Sequence, residues 1–200
     1  MIKRDENGKI INNVVSTITK PNKNKNYEVT QDDLLAIALR YHPDIIAIGE
    51  MRDKEAYTAQ EAVRTGHPSI TTVHSENAKD TYDRILSLSL KANAKIDDKK
   101  LFEYIVQAFP IVVYAKQLED RSRKITEILE AYKDEDNNIK YRHLYTYDIE
   151  KIELVDTKTV ITGKHRKKNN ISEYLKKRLI DNGMPTCILE EVFEIQKEVS

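Results

Sequence analysis

Leu39-Arg40-Tyr41-His42-Pro43-Asp44-Ile45-Ile46-Ala47-Ile48-Gly49-Glu50-Met51-Arg52-Asp53 is the stretch on which the fold turns. His42-Pro43 stops any helix that precedes it, because proline disfavours the helical conformation of the residue before it. Residues 44–49 then carry an unbroken apolar run, the pattern of a strand buried on both faces in a parallel sheet. Such sheets gather ligands beyond the carboxyl ends of their strands, and Glu50 stands at that edge. A carboxylate there can hold a magnesium ion through its water shell, which suits an ion that dehydrates reluctantly, and Gly49 lets the backbone pass close to a phosphate group. Taken alone, Glu50 reads more simply as the first solvated position after a core strand.

Upstream, Thr30-Gln31-Asp32-Asp33 has the spacing of a capping box with Asp in place of Glu, and the apolar residues Leu34, Leu35, Ile37, Ala38 and Tyr41 predict a helix over 31–41. Residues 1–27 are rich in Asn, Lys and Asp, with one β-branched run at 14–19 that reads as a strand. Downstream, residues 54–65 predict a helix that Gly66 caps, and 69–74 another strand. Two helices follow, over 78–92 and from Leu101 to the stop at Pro110. Runs at 111–117, 123–132 and 139–149, parted by charged turns such as Asp134-Glu135-Asp136-Asn137-Asn138, predict a strand meander. The tail holds an amphipathic helix over 171–182 ending at Gly183 and a last helical pattern near 188–197. The basic run Lys164-His165-Arg166-Lys167-Lys168 reads as a solvated loop.

Composition bounds the function. Two hundred residues suffice for one domain that buries about 70% of its extended surface. A hydrophobic content of 40% beside zero formal net charge argues against disorder and against a polyanion partner, so no direct contact with nucleic acid is expected. Cys187 is the only cysteine, which excludes an internal disulfide and fits a reducing compartment. No run reaches the roughly 18 apolar residues that span a bilayer, and the start leads into no apolar leader segment.

The segment Thr65-Gly66-His67-Pro68-Ser69-Ile70-Thr71-Thr72-Val73-His74 sets two histidines on either side of a strand, with Arg84 one helix later. A shared metal is excluded by reach, since an extended stretch of that length parts the imidazoles by about 20 Å. Two exposed structural histidines are the plain reading of the pair by itself.

Together, the ordered elements Arg40, Pro43-Asp44, 45–48, Gly49-Glu50-Met51-Arg52, Glu55-Ala56, Thr65-Gly66-His67, Thr72-Val73-His74 and Tyr82-Asp83-Arg84 resemble the Walker B and His boxes of the motor ATPases of type II and type IV secretion and of pilus assembly. The likeness continues through Phe109-Pro110-Ile111 and Leu118-Glu119-Asp120-Arg121 to about Ile149, and is nearest to the Tad-pilus and conjugation branch. What the resemblance implies is an α/β fold: a RecA-like P-loop NTPase core truncated at its N-terminal side (1–150), followed by an appendage of strand and helix (151–200). Glu50 would be the catalytic acid and magnesium ligand, and His74 and His67 would sense the γ-phosphate or relay its loss. Arg40, Arg52 and Arg84 would be cofactor-binding residues that make charge contacts near the subunit junction, although ordinary surface pairs, which contribute little, are the plain alternative. ATP and Mg2+ are the implied cofactors. A homo-hexamer docked on a membrane assembly platform, in the cytoplasm and peripheral to the cytoplasmic membrane, is the implied assembly.

One departure from the pattern weighs as much as the match. The five glycines, Gly8, Gly49, Gly66, Gly163 and Gly183, cannot build a Gly-x-x-x-x-Gly-Lys-Ser/Thr loop. The acidic box expected just before residue 1 is also absent, and Asp5-Glu6 is a poor substitute. The expectation is therefore a portion of a longer motor subunit, inactive alone; the alternative is a non-catalytic ring or partner subunit.

Overall fold

Helix α1 (Gln31–Leu39) starts where the capping box places it: the Thr30 hydroxyl accepts from the Asp33 N–H at 3.2 Å, and the Asp33 carboxylate accepts from the Thr30 N–H at 2.8 Å. Its end comes earlier than residue 41, and His42, at a φ of 47°, turns the chain back into strand β1 (Ile46–Ile48). The computed structural model describes residues 3–9, 13–92 and 95–193. Helix α2 (Glu55–Arg64) closes at Gly66, whose φ of 105° is the left-handed conformation that glycine adopts freely. Strand β2 (Ser69–Thr71) returns parallel to β1, with Ile46 opposite Ser69 and Ile48 opposite Thr71. Helices α3 (Asp80–Leu90) and α4 (Asp98–Ala108) complete the helical layer.

Four strands follow, β3 (Ile111–Gln117), β4 (Arg123–Lys133), β5 (Ile139–Val155) and β6 (Lys158–Lys167), paired antiparallel in chain order. Helix α5 (Glu173–Asp181) and helix α6 (Thr186–Phe193), on which Cys187 is exposed, close the described chain. The remainder of the helix expected to 197 lies outside the described residues. The class is thus mixed α/β, with a short parallel pair and a four-stranded antiparallel sheet.

Packing explains why β4 does not alternate apolar and polar. Leu129 and Ala131 join Tyr82, Ile85, Leu88, Leu101 and Ile105 in the main core, under α3 and α4. Ile128 belongs to a second cluster with Leu144, Ile171, Leu175 and Leu189, and Glu130 meets Ser172 at the start of α5. Both faces of β4 are therefore covered, and Leu129, Glu130 and Ala131 are buried in succession. Full burial of each such aliphatic side chain contributes about 1.5–3 kcal/mol. Tyr82 locks α3 to the first turn of the sheet, its hydroxyl donating to the carbonyls of Phe109 at 3.0 Å and Pro110 at 3.2 Å. Burial pushes its phenol well above the usual range, so it remains a donor. The Arg64 guanidinium lies 3.4 Å over the Tyr104 ring and ties α2 to α4.

Three expectations need correction. Residues 13–19 form no strand: Ile18 is 85% exposed, and the nearest pairing is an isolated antiparallel bridge between Lys20 and Val29. β-branched residues favour strands only where a neighbour and a buried face exist. Strand β1 is buried on one face rather than two, because Ala47 is exposed between buried Ile46 and Ile48, and Ile70 on the paired strand is 66% exposed. β5 runs unbroken through residue 150, because β6 pairs with it as far as Val155. The basic run 164–168 is not a loop. It lies on and just past β6, with Arg166 and Lys168 bridged to Asp148 at 3.4 and 2.8 Å, and Lys164 to Glu150 at 3.6 Å.

The β5–β6 ladder shifts register between Ile149 and Lys151, opposite Gly163. A Cβ at Gly163 would lie inside van der Waals contact of the Asp148 carbonyl oxygen and 3.0 Å from Ile149 Cα, both backbone atoms that cannot step aside. Gly163→Ala is accordingly expected to destabilise the chain by about 1–3 kcal/mol, read as a lowered midpoint in urea. An unchanged midpoint would show that the ladder slides to make room.

Candidate functional site

Beyond the carboxyl end of β1 the backbone from Gly49 to Asp53 is held by hydrogen bonds at each of its residues. The Thr72 hydroxyl donates to the Gly49 carbonyl at 2.7 Å, and Gln31 Nε2 donates to the Glu50 carbonyl at 3.1 Å. The Met51 N–H donates to the Thr72 carbonyl at 2.9 Å, while the Met51 side chain is buried as an anchor. The Glu55 carboxylate accepts from the N–H groups of Arg52 and Asp53 at 2.7 and 2.9 Å. These contacts seat Glu50, the least exposed of the loop's three charged side chains.

Glu50 and His74 meet at this edge. His74 Nε2 lies 3.3 Å from Glu50 Oε1, and the Arg52 guanidinium bonds Oε2. The Glu50 side chain is 20% exposed, that of Arg52 77% and that of His74 93%, so a seated carboxylate faces an exposed guanidinium and an exposed imidazole. The Arg52 guanidinium holds the Glu50 carboxyl below the ordinary Glu range, with a smaller contribution from His74, against the raising effect of its partial desolvation. It is therefore ionised at neutral pH, as metal ligation requires.

The other expected residues stand elsewhere. Pro68 accepts the Ile46 N–H at 2.9 Å, so His67 lies at the amino end of the β1–β2 pair while Glu50 and His74 lie at the carboxyl end. The two imidazoles do not converge, because β2 runs between them, and the parallel register places the carboxyl end of β2, and so His74, beside Glu50. Arg40 caps the far end of α1, about 13 Å along its axis from Gln31. Arg84 is exposed on α3. Neither makes an ion pair among the described residues. Gln31, Thr72 and Glu55, which fix the acid-bearing loop, were not among the expected site residues. Thr72 follows from the β1–β2 register, which sets it beside Gly49, whereas Gln31 occupies a first-turn helix position with no distinguishing pattern.

Among the described residues no group of three or more His, Cys, Asp or Glu could enclose a metal ion. The site fits magnesium only in the way that ion prefers, with one carboxylate and the rest of the shell from water and phosphate. No helix of the described residues is long and apolar enough to cross a membrane.

The profile of the type II/IV secretion system protein family matches residues 8–177, and the chain belongs to that family. It is similar to the VirB11 protein of Rhizobium radiobacter, 34% identical over 95 residues that cover 46% of this chain and 28% of VirB11. It is likewise similar to the conjugal transfer protein TrbB of the same organism, 30% identical over 111 residues that cover 55% of this chain and 33% of TrbB. An uncharacterised protein of Methanocaldococcus jannaschii is 33% identical over 104 residues, 52% of this chain and 37% of that protein. Among solved structures, the VirB11 ATPase from the Brucella suis type IV secretion system, in complex with sulphate, aligns with a TM-score of 0.48 at 27% identity, covering 50% of this chain and 31% of that one. The chain thus spans little more than a third of the length of these relatives at most.

Proposed function

We propose that the chain serves in an ATP-driven secretion, pilus or conjugation motor, and that the Glu50–His74 edge is the acid and sensor end of its nucleotide site. The observation that carries this reading is the 3.3 Å contact between an ionised, backbone-anchored carboxylate and an exposed imidazole at the carboxyl end of a parallel strand, where open α/β sheets bind ligands. Family membership supports it independently. The fold is read as the later part of a RecA-like core, with the phosphate-gripping loop supplied from outside these 200 residues. Bound Mg–ATP would supply the transferable phosphoryl group and its charge-neutralising cation. Glu50, in the Walker B role, orients the cation's water shell, and its fixed carbonyl keeps that geometry without reorganisation. His74 is free to swing toward a γ-phosphate and to register its departure. In this reading His67 relays that change from the other edge, and Arg40 and Arg84 make contacts at subunit junctions.

The working assembly in this reading is a cytoplasmic hexamer docked on a membrane platform protein. A second reading, a non-catalytic ring subunit, rests on the lack of any glycine pattern for a phosphate loop. The test is direct titration of the chain with a fluorescent ATP analogue and Mg2+. Without a phosphate loop, binding is expected to be far weaker than micromolar. Submicromolar affinity would show that the chain grips a triphosphate by itself and would overturn this division of labour.

A further inference from the structure

We propose that Arg52 is a displaceable internal counter-ion for Glu50, so that a divalent cation reaches the carboxylate only by competing with the guanidinium. This rests on the reading of Glu50 as the acid that holds the metal, and it adds how access to that acid is controlled.

Both carboxylate oxygens are engaged, Oε2 by Arg52 and Oε1 by His74. Of the three side chains, only the carboxylate is seated; the guanidinium is 77% exposed and has room to leave. The backbone beneath it does not need to move. The N–H groups of Arg52 and Asp53 are held by Glu55, and Met51 is anchored in the core. Exchange of guanidinium for metal is therefore a rotation of one side chain over a fixed loop. Glu55 also attracts the Arg52 charge, which gives the released guanidinium an acidic neighbour to settle against. An exposed ion pair of this kind is weak, so the arginine biases the site without blocking it. Without it, the ionised carboxylate would attract any passing cation; with it, the cation that wins is one delivered with further ligands of its own, such as phosphate oxygens.

The probe is Mn2+ added to the isotope-labelled chain, read by paramagnetic broadening of the His74 imidazole resonances, with His67 at the opposite edge as internal reference. His74 is expected to broaden before His67, and the half-effect concentration to fall about two- to fivefold in Arg52→Ala. With diamagnetic Mg2+ the Arg52 Nε–Hε resonance is expected to move to the position of an unpaired guanidinium. Identical half-effect concentrations in the wild type and Arg52→Ala, or an Arg52 resonance indifferent to Mg2+, would overturn the competition while leaving Glu50 as a metal-holding acid. Selective His74 broadening that persists in Glu50→Gln, or is missing from both wild type and Arg52→Ala, would overturn the metal-holding role itself and the competition with it.

Discussion

Glu50→Gln, made in the protein as its own cells assemble it, is expected to cut ATP turnover by about two to three orders of magnitude. Glutamine has nearly the shape of glutamate but no charge. It would leave the backbone clamps from Gln31, Thr72 and Glu55 untouched, since these contact main-chain groups and not the carboxylate. What disappears is the negative charge that positions a cation and balances Arg52 and His74. Because those two partners are largely exposed, the folded chain should tolerate the change, and its thermal midpoint should stay close to that of the wild type. Phosphate release measured at saturating Mg–ATP decides the matter, with thermal melting alongside. Undiminished turnover would remove Glu50 from the chemistry.

Glu130→Ala is expected to cost about 2–4 kcal/mol of folding stability and to loosen α5 first. Glu130 is fully buried and accepts from the Ser172 N–H at 2.7 Å and from the Ser172 hydroxyl. That hydroxyl in turn accepts from the Leu175 N–H at 3.1 Å, so one carboxyl group organises the first turn of α5. Truncation would orphan these donors in a closed site; Arg178, donating to the Gln107 carbonyl at 2.6 Å, would remain as the helix's second tether. Hydrogen exchange of the α5 amides, compared with those of α4, would show whether the loss is local. Equal protection in mutant and wild type would refute the assignment.

The same residue predicts a pH dependence. Burial pushes the Glu130 carboxyl above its usual range, opposed by the Ser172 hydrogen bonds and by Arg142. A raised folded value means that the native chain binds more protons than the unfolded one between the ordinary Glu range, near about 4.3, and the folded value. The stabilising contribution of this group is thus fully present below that window and declines as pH rises through it. Glu130→Gln keeps an acceptor and cannot titrate, so its urea midpoint should lose that slope.

Local punctuation made much of this architecture readable. Thr30 with Asp33, Gly66 and Pro110 mark element ends through their own backbone chemistry, and β3 and the start of β4 fall where their β-branched runs place them. What escaped depends on pairing. The second half of β5 and the basic end of β6 carry charges that look solvated in isolation, and only their pairing across the hairpin shows how far the strands run. The run at 14–19 shows the reverse, strand-like residues without a partner. At the site, the contact of Glu50 with His74 joins two residues that the resemblance singled out and that neither strand end marks by itself. The reach of the extended stretch already parted His67 from His74, whereas the distance of His67 from Glu50 depends on parallel register, and Gln31 was invisible because its contact joins residues nineteen apart in sequence.

The sole thiol of the chain, Cys187, stands exposed on α6, in the layer that α5 shares through Leu175 and Leu189. A single environment-sensitive dye can therefore be attached there without engineering any other position. Its emission would report peeling of the C-terminal helices from β4 in real time, giving a reporter for the grip exerted by Glu130 that is independent of nucleotide.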